Sequence, residues 1–285
     1  MIYLITAILF GSLFAILFKI FQRKGIDALQ AIGINYVVAF ALGSLGSLTQ
    51  GFSTTGMASW ILPAMGAGLF MMGSFVTMNM TTRSHGIAIA TIAARVAFVV
   101  PVLCAFLFLH GDEPRWLASA LVIASLLLIF HHRQEINTST RNLLNPIPVF
   151  ICYGMANFLL KLSQQIVAQN GGGNAELSLV TGVAFLSALL FTVIYYMMQP
   201  RSSRQPLRWN NVVAGIVLGV VNMGCTFFLL KSLMTIDSSV FYPVYNITIV
   251  LIATLAGRFG FGERLSPLQY GGIAVAIAAI ILFFV

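Results

Sequence analysis

Two basic side chains stand inside long apolar segments, where charged residues are rare. Arg95 lies in the run Ile92–Ala97, and Lys161 lies about two-thirds of the way along the segment Ile147–Ala168. An ionisable group at membrane depth is costly and usually marks a ligand or ion site. A guanidinium binds a carboxylate through two parallel hydrogen bonds. We therefore expect Arg95 and Lys161 to face one central cavity and to bind an anionic or carboxylate-bearing solute.

The alternative for both cations is a structural role. In that case the side chain reaches the lipid headgroups or bonds to backbone carbonyl groups. Lys19 and Lys231 lie closer to the ends of their segments, so we expect these two lysines to reach the headgroups.

Neutral polar residues of the apolar segments extend the predicted site. Asn157 precedes Lys161 by one helical turn, so the two share a helix face. The other candidates lie in the second, third, eighth and ninth apolar segments: Asn35, Tyr36, Asn79, Asn222, Tyr242, Tyr245 and Asn246. The alternative role for these side chains is hydrogen bonding between helices, worth ~0.6 kcal/mol each on average.

The composition places these segments in a lipid bilayer. The chain has 285 residues, of which 59% are hydrophobic and 8% are charged, whereas soluble domains carry about 25% charged residues. The net charge is +8, and the residues that give it lie mainly between the apolar runs. We therefore attribute the charge to orientation in the membrane and expect no nucleic-acid partner.

The apolar runs predict an all-α membrane protein with ten transmembrane helices, because each span needs ~20 apolar residues and the runs lack strand-like alternation. The predicted helices are Ile2–Phe21, Leu29–Leu48, Trp60–Met80, Ile87–Leu109, Trp116–Phe130, Ile147–Ala168, Ala175–Met198, Asn211–Leu230, Ser239–Gly257 and Leu268–Val285.

The two halves of the chain resemble each other. The matched pairs, about 143 to 151 residues apart, include Met72-Gly73-Ser74 with Met223-Gly224-Cys225, Phe10-Gly11-Ser12 with Tyr153-Gly154-Met155, and Trp60 with Trp209. We predict a first repeat at residues 1–133, a linker at 134–146 and a second repeat at 147–285. Because five helices per repeat is an odd number, the second copy enters the membrane from the opposite side, which gives inverted repeats.

Basic residues concentrate in the loops that follow the odd-numbered helices, which places these loops in the cytoplasm. Both chain termini are then predicted to lie outside the cytoplasm, in a multi-pass protein of the plasma or inner membrane.

These features resemble the drug/metabolite transporter superfamily, and its ten-helix EamA-like branch fits best. The resemblance rests on the two five-helix repeats, on Pro101 and Pro243 in the fourth helix of each, and on the turns at Gly111–Glu113 and Gly260–Arg264. It implies alternating-access transport of small metabolites. The chain departs from the family in the side of the membrane on which its termini are predicted to lie. It also lacks the acidic residue that small multidrug members carry in helix one.

We therefore predict a secondary transporter for a small anionic or zwitterionic metabolite, with an amino acid or organic acid favoured. The alternative within transport is a neutral sugar, or a drug or other toxic compound. A membrane enzyme is less favoured, because the sequence has neither a nucleophile elbow nor a zinc-protease motif. A scaffold is less favoured, because the apolar segments and their short loops leave no extramembrane domain. We expect no catalytic residue, metal or cofactor, since the pair His131-His132 has no other ligand at metal-binding spacing. The expected partners are the substrate and the lipid bilayer, around a monomer or a homodimer.

Overall fold

The computed structural model describes residues 1–51, 56–85, 87–109, 113–130, 146–200, 206–260, 262 and 265–284. Within these ranges the chain forms eleven α-helices and no strand. The helices are α1 (Ile2–Lys24), α2 (Ala28–Gln50), α3 (Met57–His85), α4 (Ile87–Val96), α5 (Val99–Leu109), α6 (Trp116–Phe130), α7 (Pro146–Gln169), α8 (Asn174–Met198), α9 (Trp209–Ser232), α10 (Ser238–Gly260) and α11 (Pro267–Phe284).

Length and hydropathy match these helices to membrane spans. Nine segments of the described chain are long and apolar enough to cross a bilayer, and α4 and α5 together supply one of them, Ile89–Leu109. The helix α6 is also apolar but has only 15 residues. The prediction of an all-α membrane protein is confirmed.

The predicted fourth span is present as Ile89–Leu109, but its prediction as one continuous helix is wrong, because α4 and α5 are separated at Ala97 and Phe98. Proline has no N–H, and its ring clashes with the carbonyl four residues before it, which for Pro101 is that of Ala97. At this point the backbone instead forms hydrogen bonds that span three residues. Val100 N donates to Ala97 O at 3.1 Å, and Phe98 N donates to Arg95 O at 3.4 Å. In contrast, α10 continues through Pro243.

The helices group into two compact units, which are described one at a time below. Unit 1 comprises Met1–Met72 and Leu159–Thr235, and unit 2 comprises Gly73–Phe158 and Ile236–Val285. Each unit combines residues of both predicted repeats. The predicted linker lies outside the described residues except for Pro146.

In unit 1, α2 packs against α8 and α9, and α1 packs against α9. Small residues permit these close approaches, as is usual where lipid gives no hydrophobic drive for helix association. A Cβ on Gly43 would lie 2.8 Å from the backbone of Gly182. A Cβ on Gly219 would lie 2.9 Å from the carbonyl oxygen of Asn35. Asp27 begins α2 as its N-cap, because its side chain accepts from Gln30 N at 2.9 Å.

In unit 2, α6 packs along α11, and α10 contacts α5, α6 and α11. Gln269 on α11 donates through Nε2 to Ile129 O at the end of α6, at 2.9 Å. Most of α10 is buried, including Tyr242, Tyr245 and Asn246. A helix that is buried on most of its surface can hold polar side chains only where they are hydrogen-bonded or line a site.

Candidate functional site

Arg95 and Asn246 form the centre of the candidate site in unit 2. Arg95, half-buried in the last turn of α4, donates from Nη1 to Oδ1 of Asn246 at 3.2 Å. The same amide donates from Nδ2 to the carbonyl of Tyr242, one turn earlier on α10, at 3.0 Å. The second bond fixes the amide with its oxygen towards the guanidinium.

Tyr242 connects this pair to α7. Its Oη donates to the carbonyl of Asn157 at 2.9 Å, and the Asn157 amide donates to the carbonyl of Tyr153 at 2.8 Å. Arg95, Asn246, Tyr242 and Asn157, which we call the Arg95 cluster, therefore join α4, α10 and α7 by a chain of hydrogen bonds. The structure thus brings together four of the residues that the sequence singled out.

The Arg95 cluster carries a positive charge that its own side chains do not neutralise. Within the described part of the chain, the guanidinium makes its one hydrogen bond to Asn246 and no ion pair. Six of the seven acidic residues of the sequence lie between the predicted apolar segments, and the seventh, Glu176, lies in the first turn of α8 in unit 1. Guanidinium has five N–H donors, so most of them are available to an anion.

Two predicted members of unit 2 have other surroundings. Tyr245 stacks on Phe241, with ring centroids 5.3 Å apart, and is 8% exposed. Asn79 is exposed, and its amide donates to Phe75 O of its own helix at 3.2 Å. Their assignment to the site stays a prediction.

Lys161, in unit 1, is held by a helix end. Its Nζ donates to Oε1 of Gln164 at 3.0 Å and to the carbonyl of Leu233 at 3.2 Å. Leu233 is the C-cap of α9, and a cation at a helix C-terminus is favoured by the helix dipole. This is the geometry expected of the structural role, in which a lysine bonds to backbone carbonyls.

The other predicted residues of unit 1 lie on α2 and α9. Asn222 donates from Nδ2 to Oδ1 of Asn35 at 3.1 Å, and Asn35 is only 1% exposed. Tyr36 stacks on Phe185 with ring centroids 5.9 Å apart. A buried Asn–Asn pair is typical of hydrogen bonding between helices, so its part in substrate binding also stays a prediction.

Sequence reasoning left out Tyr153, whose carbonyl accepts the Asn157 amide and whose phenol lies within electrostatic reach of Arg95. Its position one helical turn before Asn157 was the available signal. Lys231 lies 4.5 Å above the ring of Tyr3, a cation–π contact that the sequence did not indicate.

A metal centre has no support in the described ranges, where no three His, Cys, Asp or Glu side chains come together. The pair His131-His132 lies outside those ranges, as do Gly111-Asp112 and Glu263-Arg264 of the two predicted turns.

Comparison with known proteins shows a family similarity in the second half of the chain. The sequence model of the EamA-like transporter family matches residues 151–285. An uncharacterized protein of Haemophilus influenzae is 26% identical over 295 residues, which cover 99% of this chain and 97% of that protein. A solved crystal structure aligns with 99% of this chain and 95% of its own, with a TM-score of 0.71 and 14% sequence identity.

Over residues 151–285 the chain is similar to the EamA-like family, in agreement with the predicted resemblance, and the activity that this similarity implies is membrane transport. The crystal structure has the same fold, and at 14% identity the likeness concerns the fold alone.

Proposed function

We propose that this protein is a secondary transporter of a small anionic or zwitterionic metabolite, an amino acid or organic acid, and that Arg95 binds the carboxylate. The observation that carries the proposal is the guanidinium of Arg95, half-buried in a membrane span and hydrogen-bonded to an amide oxygen rather than to a carboxylate. An unpaired cation in lipid is costly, and an anionic ligand would offset that cost.

The neighbours of Arg95 suit this role. Because Tyr242 holds the Asn246 amide, the bond from Asn246 to Nη1 positions the guanidinium without neutralising it. Tyr242 is 1% exposed and donates to Asn157 O, so the α10 face of the site is held rigidly. We assign recognition of the carboxylate to Arg95 before Lys161, because Lys161 is already bonded to a helix C-terminus.

The proposed mechanism is alternating access. The predicted inverted repeats favour it, since two copies of opposite orientation could expose one site to either side of the membrane in turn. Substrate binding by Arg95 is then required for transport, while the direction of flux depends on the gradients. We further propose that both termini lie outside the cytoplasm, on the basis of the loop charges.

The test is a thermal-shift screen of the detergent-purified protein against amino acids, organic acids, neutral sugars and cationic drugs. We expect a carboxylate compound to raise the melting temperature of the wild type and not that of Arg95→Ala. The matched control is Arg115→Ala, because Arg115 is exposed at the start of α6 and donates to Leu282 O at 3.4 Å. Flux of the same compound into proteoliposomes should disappear in Arg95→Ala alone.

Two outcomes would overturn the proposal. Equal stabilisation of wild type and Arg95→Ala by a carboxylate would remove Arg95 from the site. Stabilisation by a sugar or drug only, with no carboxylate binding, would favour the alternative transporter class.

A further inference from the structure

The phenol of Tyr153 lies near Arg95 but takes no part in the hydrogen bonds of the Arg95 cluster. Tyr153 lies on α7 one helical turn before Asn157, so the two side chains share a helix face. Tyr242 of α10 donates to the carbonyl of Asn157 on this segment, and the Tyr153 phenol lies within electrostatic reach of the Arg95 guanidinium. Tyr153 therefore lies near the group to which the proposed function assigns the carboxylate.

Two polar atoms near Arg95 have no hydrogen-bond partner among the described residues. They are Oη of Tyr153 and Oδ1 of Asn157, whose amide bonds only through Nδ2, to Tyr153 O at 2.8 Å. Both residues are half-buried. Neither atom is fully enclosed, since the fully enclosed polar atoms without a partner in the described chain are serine hydroxyls. Both atoms are therefore open to a ligand that is bound at Arg95.

We propose that the substrate is a hydroxy monocarboxylic acid and that Tyr153 is the residue that selects its hydroxyl. This inference rests on the proposed function, in which Arg95 binds the carboxylate. A hydroxyl both donates and accepts hydrogen bonds. It accepts from Tyr153 Oη and donates to Asn157 Oδ1 while the carboxylate lies on Arg95. An ammonium in the same place only donates, so it leaves the phenol donor without an acceptor.

The charges around this site favour a hydroxy acid over an amino acid. The acidic side chains in the described part of unit 2 are Glu113 and Asp237. Glu113 is exposed beyond the far end of α5, which is about 15 Å long, and Asp237 lies about 14 Å along α10 from Asn246. A monocarboxylate therefore neutralises the charge of Arg95, whereas a zwitterion leaves one positive charge in the occupied site. Such a charge is costly at membrane depth, and the ammonium of the zwitterion also repels the guanidinium.

The experiment compares acids of the same carbon skeleton by isothermal titration calorimetry on the whole detergent-purified protein. One set is butyrate with its α-hydroxy, β-hydroxy, α-amino and β-amino derivatives, and the other is phenylpropionate, phenyllactate and phenylalanine. Each acid is titrated into wild type, Tyr153→Phe, Tyr270→Phe and Arg95→Ala.

The two phenylalanine variants are a matched pair. Tyr153→Phe removes a hydroxyl that has no hydrogen-bond partner in the described chain, so the melting temperature of the free protein should not change. Tyr270→Phe removes the same group from a side chain that is 52% exposed on α11, away from the Arg95 cluster. Binding of the plain acids reports whether Tyr153→Phe keeps the carboxylate site intact.

We expect a hydroxy acid to bind wild type and Tyr270→Phe about tenfold more tightly than the matched amino acid or plain acid. Tyr153→Phe should weaken binding of the hydroxy acid about 3- to 10-fold, the effect of one hydrogen bond, and leave binding of the plain acid unchanged. Arg95→Ala should bind none of the acids.

The results that contradict this selectivity differ from those that contradict the proposed function. Acids that bind through Arg95, but with no preference for the hydroxy acid or no effect of Tyr153→Phe, would overturn the role of Tyr153 and leave the carboxylate site standing. The hydroxy-acid assignment is also wrong if no acid of either set binds wild type. Equal binding to wild type and Arg95→Ala would overturn both proposals.

Discussion

Replacing Asn246 with aspartate turns the acceptor of Arg95 into a competitor for the substrate. The side chains have nearly the same shape, and Asn246 Oδ1 already lies 3.2 Å from Arg95 Nη1. The variant therefore supplies an internal carboxylate without moving the guanidinium. A carboxylate ligand must then displace this partner before it can bind.

The expected loss of affinity follows from that distance. Two unit charges about 4 Å apart attract by ~4 kcal/mol at an effective dielectric constant of about 20. A hydrogen bond to a charged group contributes ~1.5–3 kcal/mol after desolvation. The hydrogen-bond value is the one that applies to competition, because a bound ligand makes the same kind of bond to Arg95 that the new carboxylate loses. We expect Asn246→Asp to weaken carboxylate binding about 10- to 100-fold.

The assay is a thermal-shift or calorimetric titration with the carboxylate that stabilises the wild type. The ligand-free variant loses the bond from Asn246 Nδ2 to the Tyr242 carbonyl while Arg95 gains a counter-ion, so its melting temperature is compared with that of the wild type before the titration. The control is Gln50→Glu, which makes the same amide-to-acid change on the exposed end of α2 and should leave affinity unchanged. If Asn246→Asp binds the ligand as tightly as the wild type, Arg95 does not bind its carboxylate.

Three further predictions test the anchoring, the packing and the orientation. Lys161→Met removes the bond to the Leu233 carbonyl and should lower the free energy of unfolding by about 1–3 kcal/mol in denaturation experiments; an unchanged stability would contradict the anchoring role. Gly43→Ala places a Cβ 2.8 Å from the backbone of Gly182 and should cost about 1–3 kcal/mol. Its control Gly271→Ala meets nothing within 4 Å and should be neutral or stabilising, so equal melting temperatures for the two would refute this packing. A C-terminal alkaline phosphatase fusion should be active and a green fluorescent protein fusion dark, whereas the reverse would place that terminus in the cytoplasm.

The spans were predictable because lipid imposes a simple rule, but their ends were less so. The third helix was predicted as Trp60–Met80, and α3 extends over Met57–His85. The additional turn at its C-terminus contains Arg83 and Ser84, both exposed. Helical backbone bonding continues beyond the apolar run, because it satisfies the backbone groups equally well there. Hydropathy detects the apolar run and not the helix end.

The break between α4 and α5 depends on local bonding that composition does not reveal. Pro101 and Pro243 occupy similar places in the sequence pattern, yet only Pro101 stands at a break. Pro101 is the third residue of α5, where a missing N–H removes no intrahelical bond. Pro243 lies in a helix whose start is fixed by Asp237, since that side chain accepts from Ser239 N at 2.7 Å. The sequence alone therefore does not distinguish these two prolines, whereas the structure does.

The candidate site was predictable in its residue types and not in its contacts. Arg95 stood out because a charge in an apolar run is rare, but Asn246 is 151 residues away in the sequence. No local pattern pairs them. Likewise, the sequence gives no sign that Asn79 is exposed or that Tyr245 stacks on Phe241. Side-chain direction depends on how helices pack, which hydropathy does not encode.

The two cations within the spans differ in how their charge is balanced, and this difference separates a binding group from a structural one. The ammonium of Lys161 lies at the C-terminus of α9, where the partial negative charge of the helix end stabilises it permanently. A ligand that captured this ammonium would have to break that interaction first. The guanidinium of Arg95 has only the neutral amide of Asn246 as its acceptor among the described residues. A neutral acceptor positions the charge but leaves its field uncompensated, so a carboxylate gains more from binding Arg95 than from binding Lys161.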